Sequence, residues 1–190
     1  MEAYIKYKSV LAKFKDLKQR NYAFNHLDRQ SQRLEIAWDA LQLVLNQEVK
    51  AFNGGYWSSS ILNSINRLGP ESTQNFFLNK LHGRGCRVCQ RGLMMVSQIR
   101  LGNELSARET DNGLPVSAFG VTTMSRGDMG IIKGFSMTSF LLIEREYEHG
   151  EFHHPYGCHT EEKLANICCN ILVNGNFKPK DTTDYLKPKK

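Results

Sequence analysis

Apolar residues recur at intervals of three and four along most of this chain, the spacing that gathers them on one face of an α-helix. The pattern is most sustained from about Gln32 to Val49, where Leu34, Ala37, Trp38, Leu41, Leu45 and Val49 hold it over four turns. Asn53, Gly54 and Gly55 predict its end. A narrower stripe of Tyr4, Tyr7, Leu11 and Phe14 predicts an amphipathic helix over residues 2–19, followed by a polar break. "SSSILNSINRLGP" predicts a short helix closed by Gly69 and Pro70, and "ESTQNFFLNKLHG" repeats the plan with Phe77, Leu78 and Leu81 inward. A further helix is expected from about Cys86 to Leu101.

The later helices carry clearer boundary signals. Ser136 is placed to cap a helix running to about His149, with Phe135 stapled onto Phe140. Thr160 caps the last helix, Glu161 and Glu162 sit in its first turn where the helix dipole favours them, and Asn174 with Gly175 ends it. Leu164, Ile167, Cys168, Ile171 and Leu172 form its apolar face. Between these blocks, residues 110–134 hold five glycines and a proline without a helical period, which predicts a long irregular segment. No stretch alternates with period two for long enough to predict a strand. The expectation is a mainly α protein. A compact helical domain spans 32–178, preceded by a basic amphipathic helical extension (1–31) and followed by a basic tail (179–190).

Charge changes this picture through its distribution. The net +6 of the 190 residues divides into +5 over residues 1–33, +3 over 178–190 and −2 between them. All the excess positive charge therefore belongs to the two ends. Such ends suit an anionic partner or a solvated surface, with nucleic acid a lesser expectation. No run approaches the ~20 apolar residues that span a bilayer, and lysines interrupt the N-terminus too often for a secretory signal. A cytoplasmic location without membrane contact is expected.

Five cysteines, an odd number, argue against a disulfide framework. In "GCRVCQRGLMMVSQIRL", continuation of the helical period through Cys86 and Cys89 favours a buried helix whose thiols act as small hydrophobes. No bound cofactor is then needed. Cys-x2-Cys also has zinc-ligand spacing, and Cys158 with His159 could supply the other pair of a tetrahedral site. A third reading, a reactive thiolate at a helix N-terminus beside Arg84 and Arg87, would make the chain a cysteine-dependent enzyme. Arg84, Arg87 and Arg91 fall on one helical face, expected to be solvent-exposed and able to hold an anionic, nucleotide-type ligand. Glu144, set between Leu141 and Tyr147, would need a basic partner, with the arginines between 84 and 100 as candidates. The stripe of Tyr4, Tyr7, Leu11 and Phe14 needs a covering surface: the domain itself, a second copy or a target.

Five segments taken in order, "RLEIAWDAL", "NGGYW", "CRVCQRGLMMVSQIRL", "FLLIEREYE" and "EEKLANICCNILVNGNFKP", resemble a group of small proteins from bacteria and their phages over about residues 33–180. The group commonly follows Cys-x2-Cys with alanine and glycine, where this chain has Gln90, Arg91 and Gly92. The resemblance implies a compact α-rich fold and a mobile-element context, and carries no catalytic residue. The chain shows no triad, Walker loop, paired carboxylates or His-Glu-x-x-His. The expected function is a non-enzymatic interaction protein, such as a phage-encoded inhibitor that sequesters a host defence component. It would act through a protein partner or an anionic ligand, and a homo-oligomer is compatible with it. A zinc-stabilised nucleic-acid-binding domain is the alternative reading.

Overall fold

A computed structural model describes residues 1–52, 70–79, 86–102, 132–150 and 160–187. The protein is mainly helical. Its elements are α1 (Leu17–Asn25), α2 (Arg29–Leu45), β1 (Lys50–Ala51), α3 (Pro70–Asn79), β2 (Arg87–Val88), α4 (Gln90–Gly102), α5 (Met137–His149) and α6 (Glu161–Asn174). α4 is the central element, as its wide apolar arc requires: α1, α2, α3 and α5 all pack against it, and α6 lies across α2. Residues 90–99 are all buried, including Leu93, Met94, Met95, Val96 and Ile99.

The helix boundaries follow from side chains that satisfy otherwise orphaned main-chain groups. Asp28 caps α2 by accepting from the N–H groups of Gln30 and Ser31. α2 stops at Leu45, well before the glycines expected to end it. Gln47 adopts φ +58°, its N–H donates to Val44 O, and the Glu48 N–H donates to Leu43 O. This is the closing pattern usually given to glycine, here made by a glutamine. Ser136 and Thr160 cap α5 and α6, and the Phe135 and Phe140 rings lie 5.0 Å apart, as expected. Gly134 (φ +83°) permits a close approach to α2: a Cβ there would lie 2.4 Å from the Arg29 carbonyl oxygen.

Three expectations change. Residues 1–16 are not helical, so the amphipathic extension is an arm, and the first helix begins at Leu17 behind an Asp16 cap. The polar break after it is largely helical. Cys86 and Cys89 precede the central helix and flank β2, which pairs in parallel with β1, Lys50 opposite Arg87 and Ala51 opposite Val88. Leu11 of the arm, Phe24 of α1 and Tyr185 of the C-terminal segment all join the core. Residues 58–69 of the short helix expected to close at Pro70, with Leu81, Trp57 and most of the irregular segment, lie outside the described residues, and Pro70 itself opens α3.

Candidate functional site

Two of the three functional readings depend on the cysteines. Cys86, Cys89, Cys168 and Cys169 are free and at most 5% exposed. Burial pushes the thiols of Cys86, Cys89 and Cys168 up to about 12, and that of Cys169 higher still. Cys89 does stand at the N-terminus of α4, where Gly92 N lies 3.5 Å from its Sγ, but desolvation outweighs that contact. This is opposite to what a nucleophile needs. At pH 8 these thiols are expected to stay protonated. Iodoacetamide is therefore expected to leave these four cysteines unmodified for an hour in the native protein and to alkylate all four in guanidinium. Peptide mass spectrometry reads this out. Among the described residues, no group of three or more His, Cys, Asp or Glu is placed to hold a metal ion. Cys158 and His159 of the zinc alternative lie outside them.

The arginines do not make a shared wet face. Arg87 is exposed, its guanidinium 5.6 Å from the centre of the Phe52 ring. Arg91 is 7% exposed and ion-pairs with Glu144 at 3.2 Å across the contact of α4 with α5. Arg91 is thus the basic partner that Glu144 was expected to need, and is not available to a ligand. It faces inward because α4 is enclosed on nearly every side. Arg84 lies outside the described residues.

The N-terminal arm is where sequence and structure part most usefully. No residue from 1 to 16 has positive φ, and none before Val10 is in a turn or helix. Burial alternates with period two: Ala3, Ile5, Tyr7, Ser9 and Leu11 lie inward, Glu2, Tyr4, Lys6, Lys8 and Val10 outward. This is the signature of extended chain. Its anchor is Glu35 on α2, only 1% exposed. Tyr7 OH donates to Glu35 Oε1 (2.8 Å), Ser9 Oγ to Oε2 (2.5 Å) and Val10 N to Oε1 (2.8 Å). Burial and the neighbouring carboxylate push the Tyr7 hydroxyl well above its ordinary range. The Tyr7 ring packs 5.5 Å from that of Trp38, and Phe14 is half-buried against the core. Of the expected stripe, Leu11 is thus buried, Tyr7 and Phe14 are half-buried, and Tyr4 is 54% exposed.

The C-terminal segment is built the same way. Asn170 of α6 donates to the carbonyls of Lys178 and Asp181 and accepts from Lys178 N. Asn166 accepts from Tyr185 N. Partial burial would raise the Asp181 carboxyl, but hydrogen bonds from Tyr185, Asn174 and Thr183 outweigh it and bring it down to about 2. The two ends then meet: Tyr4 N donates to Tyr185 O at 3.2 Å. A cleft of about 680 Å³ opens beside this junction, with Glu2, Lys50, Glu161, Glu162 and Lys187 on its walls. Glu161 accepts from Ala51 N, and Lys187 is paired with Asp184.

The candidate site is therefore the clasp of the two ends, whose Lys6, Lys8, Lys178 and Lys180 are exposed. The sequence pointed to the charges but not to Glu35, Asn166, Asn170 and Asp181, which hold them in place. The alternation of Ala3, Ile5, Tyr7 and Leu11 was the available signal. Compared with protein-family models, curated proteins and solved structures, the chain matches none.

Proposed function

We propose that this chain is a non-enzymatic interaction protein that offers its two basic ends to an acidic protein partner. One observation carries the reading. The described parts of the two basic segments, residues 1–33 and 178–187, are folded onto the domain and joined at Tyr4 and Tyr185, with Lys6, Lys8, Lys13, Lys15, Lys18, Lys178, Lys180 and Lys187 exposed. A solubilising tail has no need of a buried carboxylate or paired asparagines to hold it. Exposed Tyr4 and Val10 lie among the lysines, and an aromatic amid a charged rim suits a protein surface. The buried, high-pKa thiols weigh against a cysteine-dependent enzyme. The resemblance to phage proteins suggests the setting, a sequestering inhibitor directed at a host component.

Immobilised protein exposed to nuclease-treated bacterial extract at low salt is expected to retain an acidic protein and to release it at about 0.5 M salt. Replacing Lys6, Lys8, Lys178 and Lys180 with glutamate should abolish retention. No protein retained from the nuclease-treated extract, with nucleic acid retained when the nuclease is omitted, contradicts the proposal.

A further inference from the structure

We infer that the N-terminal arm is an edge strand held ready for pairing, and that its partner supplies an extended segment bearing acidic side chains. The inference rests on the binding-protein reading and specifies how the partner is gripped.

In an extended chain, side chains alternate between faces while the N–H and C=O groups of successive residues alternate between edges. Ala3, Ile5, Tyr7 and Ser9 turn their side chains toward the domain. Their main-chain groups share one edge, and none has a hydrogen-bond partner among the described residues. The bonds that the arm's main chain makes to other segments are those of Tyr4 N and Val10 N, both on the other edge. The free edge thus repeats donor and acceptor every ~7 Å over four residues. Unpaired edges of this kind are usually covered or distorted. This one is instead fixed in register, because Tyr7 and Ser9 are bonded to Glu35. A partner strand would find it already ordered, which lowers the entropy lost on binding.

Charge selects the occupant. The outward face beside the edge reads Tyr4, Lys6, Lys8, Val10. Two copies of the arm paired about a two-fold axis would bring Lys6 and Lys8 opposite or diagonal to each other, and facing like charges destabilise a strand pair. An acidic strand meets the same lysines favourably, while Tyr4 and Val10 offer apolar cross-strand contacts. A nucleic acid would use the lysines but not the alternating donors and acceptors.

The test uses the full chain and a fluorescein-labelled seven-residue peptide of alternating valine and glutamate. Controls are its lysine counterpart and a version N-methylated at alternate peptide bonds. Fluorescence anisotropy should show the acidic peptide binding at least about tenfold more tightly than either control. In the same titration the Ile5 and Tyr7 amides should become protected from exchange. K6E/K8E, whose positions are exposed, should keep its thermal midpoint and lose about tenfold in affinity. Equal binding of the N-methylated peptide would overturn strand pairing while leaving the basic-face reading intact. Absence of acidic-peptide binding up to about 1 mM overturns the inference. So does protection of the same amides by self-association or by duplex DNA.

Discussion

A protein carrying Glu35→Ala is expected to lose about 4 kcal/mol of stability and to release residues 1–14 from the domain. Glu35 is buried and accepts from Tyr7 OH, Ser9 Oγ and Val10 N. Its removal leaves three donors facing an apolar surface or forces the arm into water, and takes Leu11 out of the core with it. For a chain of this length the thermal midpoint should fall by roughly 10 °C. Trypsin should then cut at Lys6, Lys8 and Lys13 faster than in the parent protein. Tyr7→Phe keeps the contact with Trp38 and removes one donor, so about 1.5 kcal/mol is expected. A Glu35→Ala protein as stable as the parent, with an equally protected arm, would mean that these bonds do not hold the arm.

The second large effect is expected at Arg100, at the C-terminal end of α4. Its Nε donates to Asp39 Oδ2 at 3.0 Å and one terminal nitrogen donates to the Phe77 carbonyl at 2.8 Å, with Glu48 at 3.8 Å. The Arg100 carbonyl accepts from Arg20 and Gln74. One residue therefore ties α4 to α1, α2 and α3. Its side chain is 16% exposed, so the pair is neither a surface ion pair nor fully desolvated. Arg100→Met removes the guanidinium that pairs with Asp39 and Glu48 and leaves the Phe77 carbonyl without that donor. About 3 kcal/mol is expected from urea denaturation, with amide exchange rising first in α3. Arg100→Lys keeps the charge but cannot serve Asp39 and Phe77 together, so it should recover less than half of the loss. A full rescue by lysine would show that charge alone matters at this position.

These two residues also mark how far the sequence could be read. α5 and α6 were legible to the residue, because their boundaries depend on local chemistry: Ser136 and Thr160 accept from N–H groups three residues on, and Gly175 takes φ +74°. The need of Glu144 for a basic partner followed from a carboxylate among apolar neighbours, although the choice of Arg91 among the candidate arginines and its burial did not. The arm was misread because Tyr4, Tyr7, Leu11 and Phe14 satisfy a helical stripe while Ala3, Ile5, Tyr7 and Leu11 satisfy an alternation. The tie is broken by Glu35, 25 to 28 residues away, whose role no local pattern discloses. The stretch from Cys86 to Cys89 failed for the same reason, since two-residue strands exist only through each other. The candidate site was half visible: its charges were plain in the composition, but the clasp depends on a contact between Tyr4 and Tyr185, at opposite ends of the chain.

Everything proposed for function requires the arm to lie extended across α2 and meet the C-terminal segment. Amide exchange at single-residue resolution in the free protein tests that directly. Protection is expected at Tyr4 and Val10, with fast exchange at Ala3, Ile5, Tyr7 and Ser9. Continuous protection from about residue 6 to 16 would restore the helix that the apolar stripe suggested, and fast exchange at Tyr4 and Val10 as well would mean the arm is not docked.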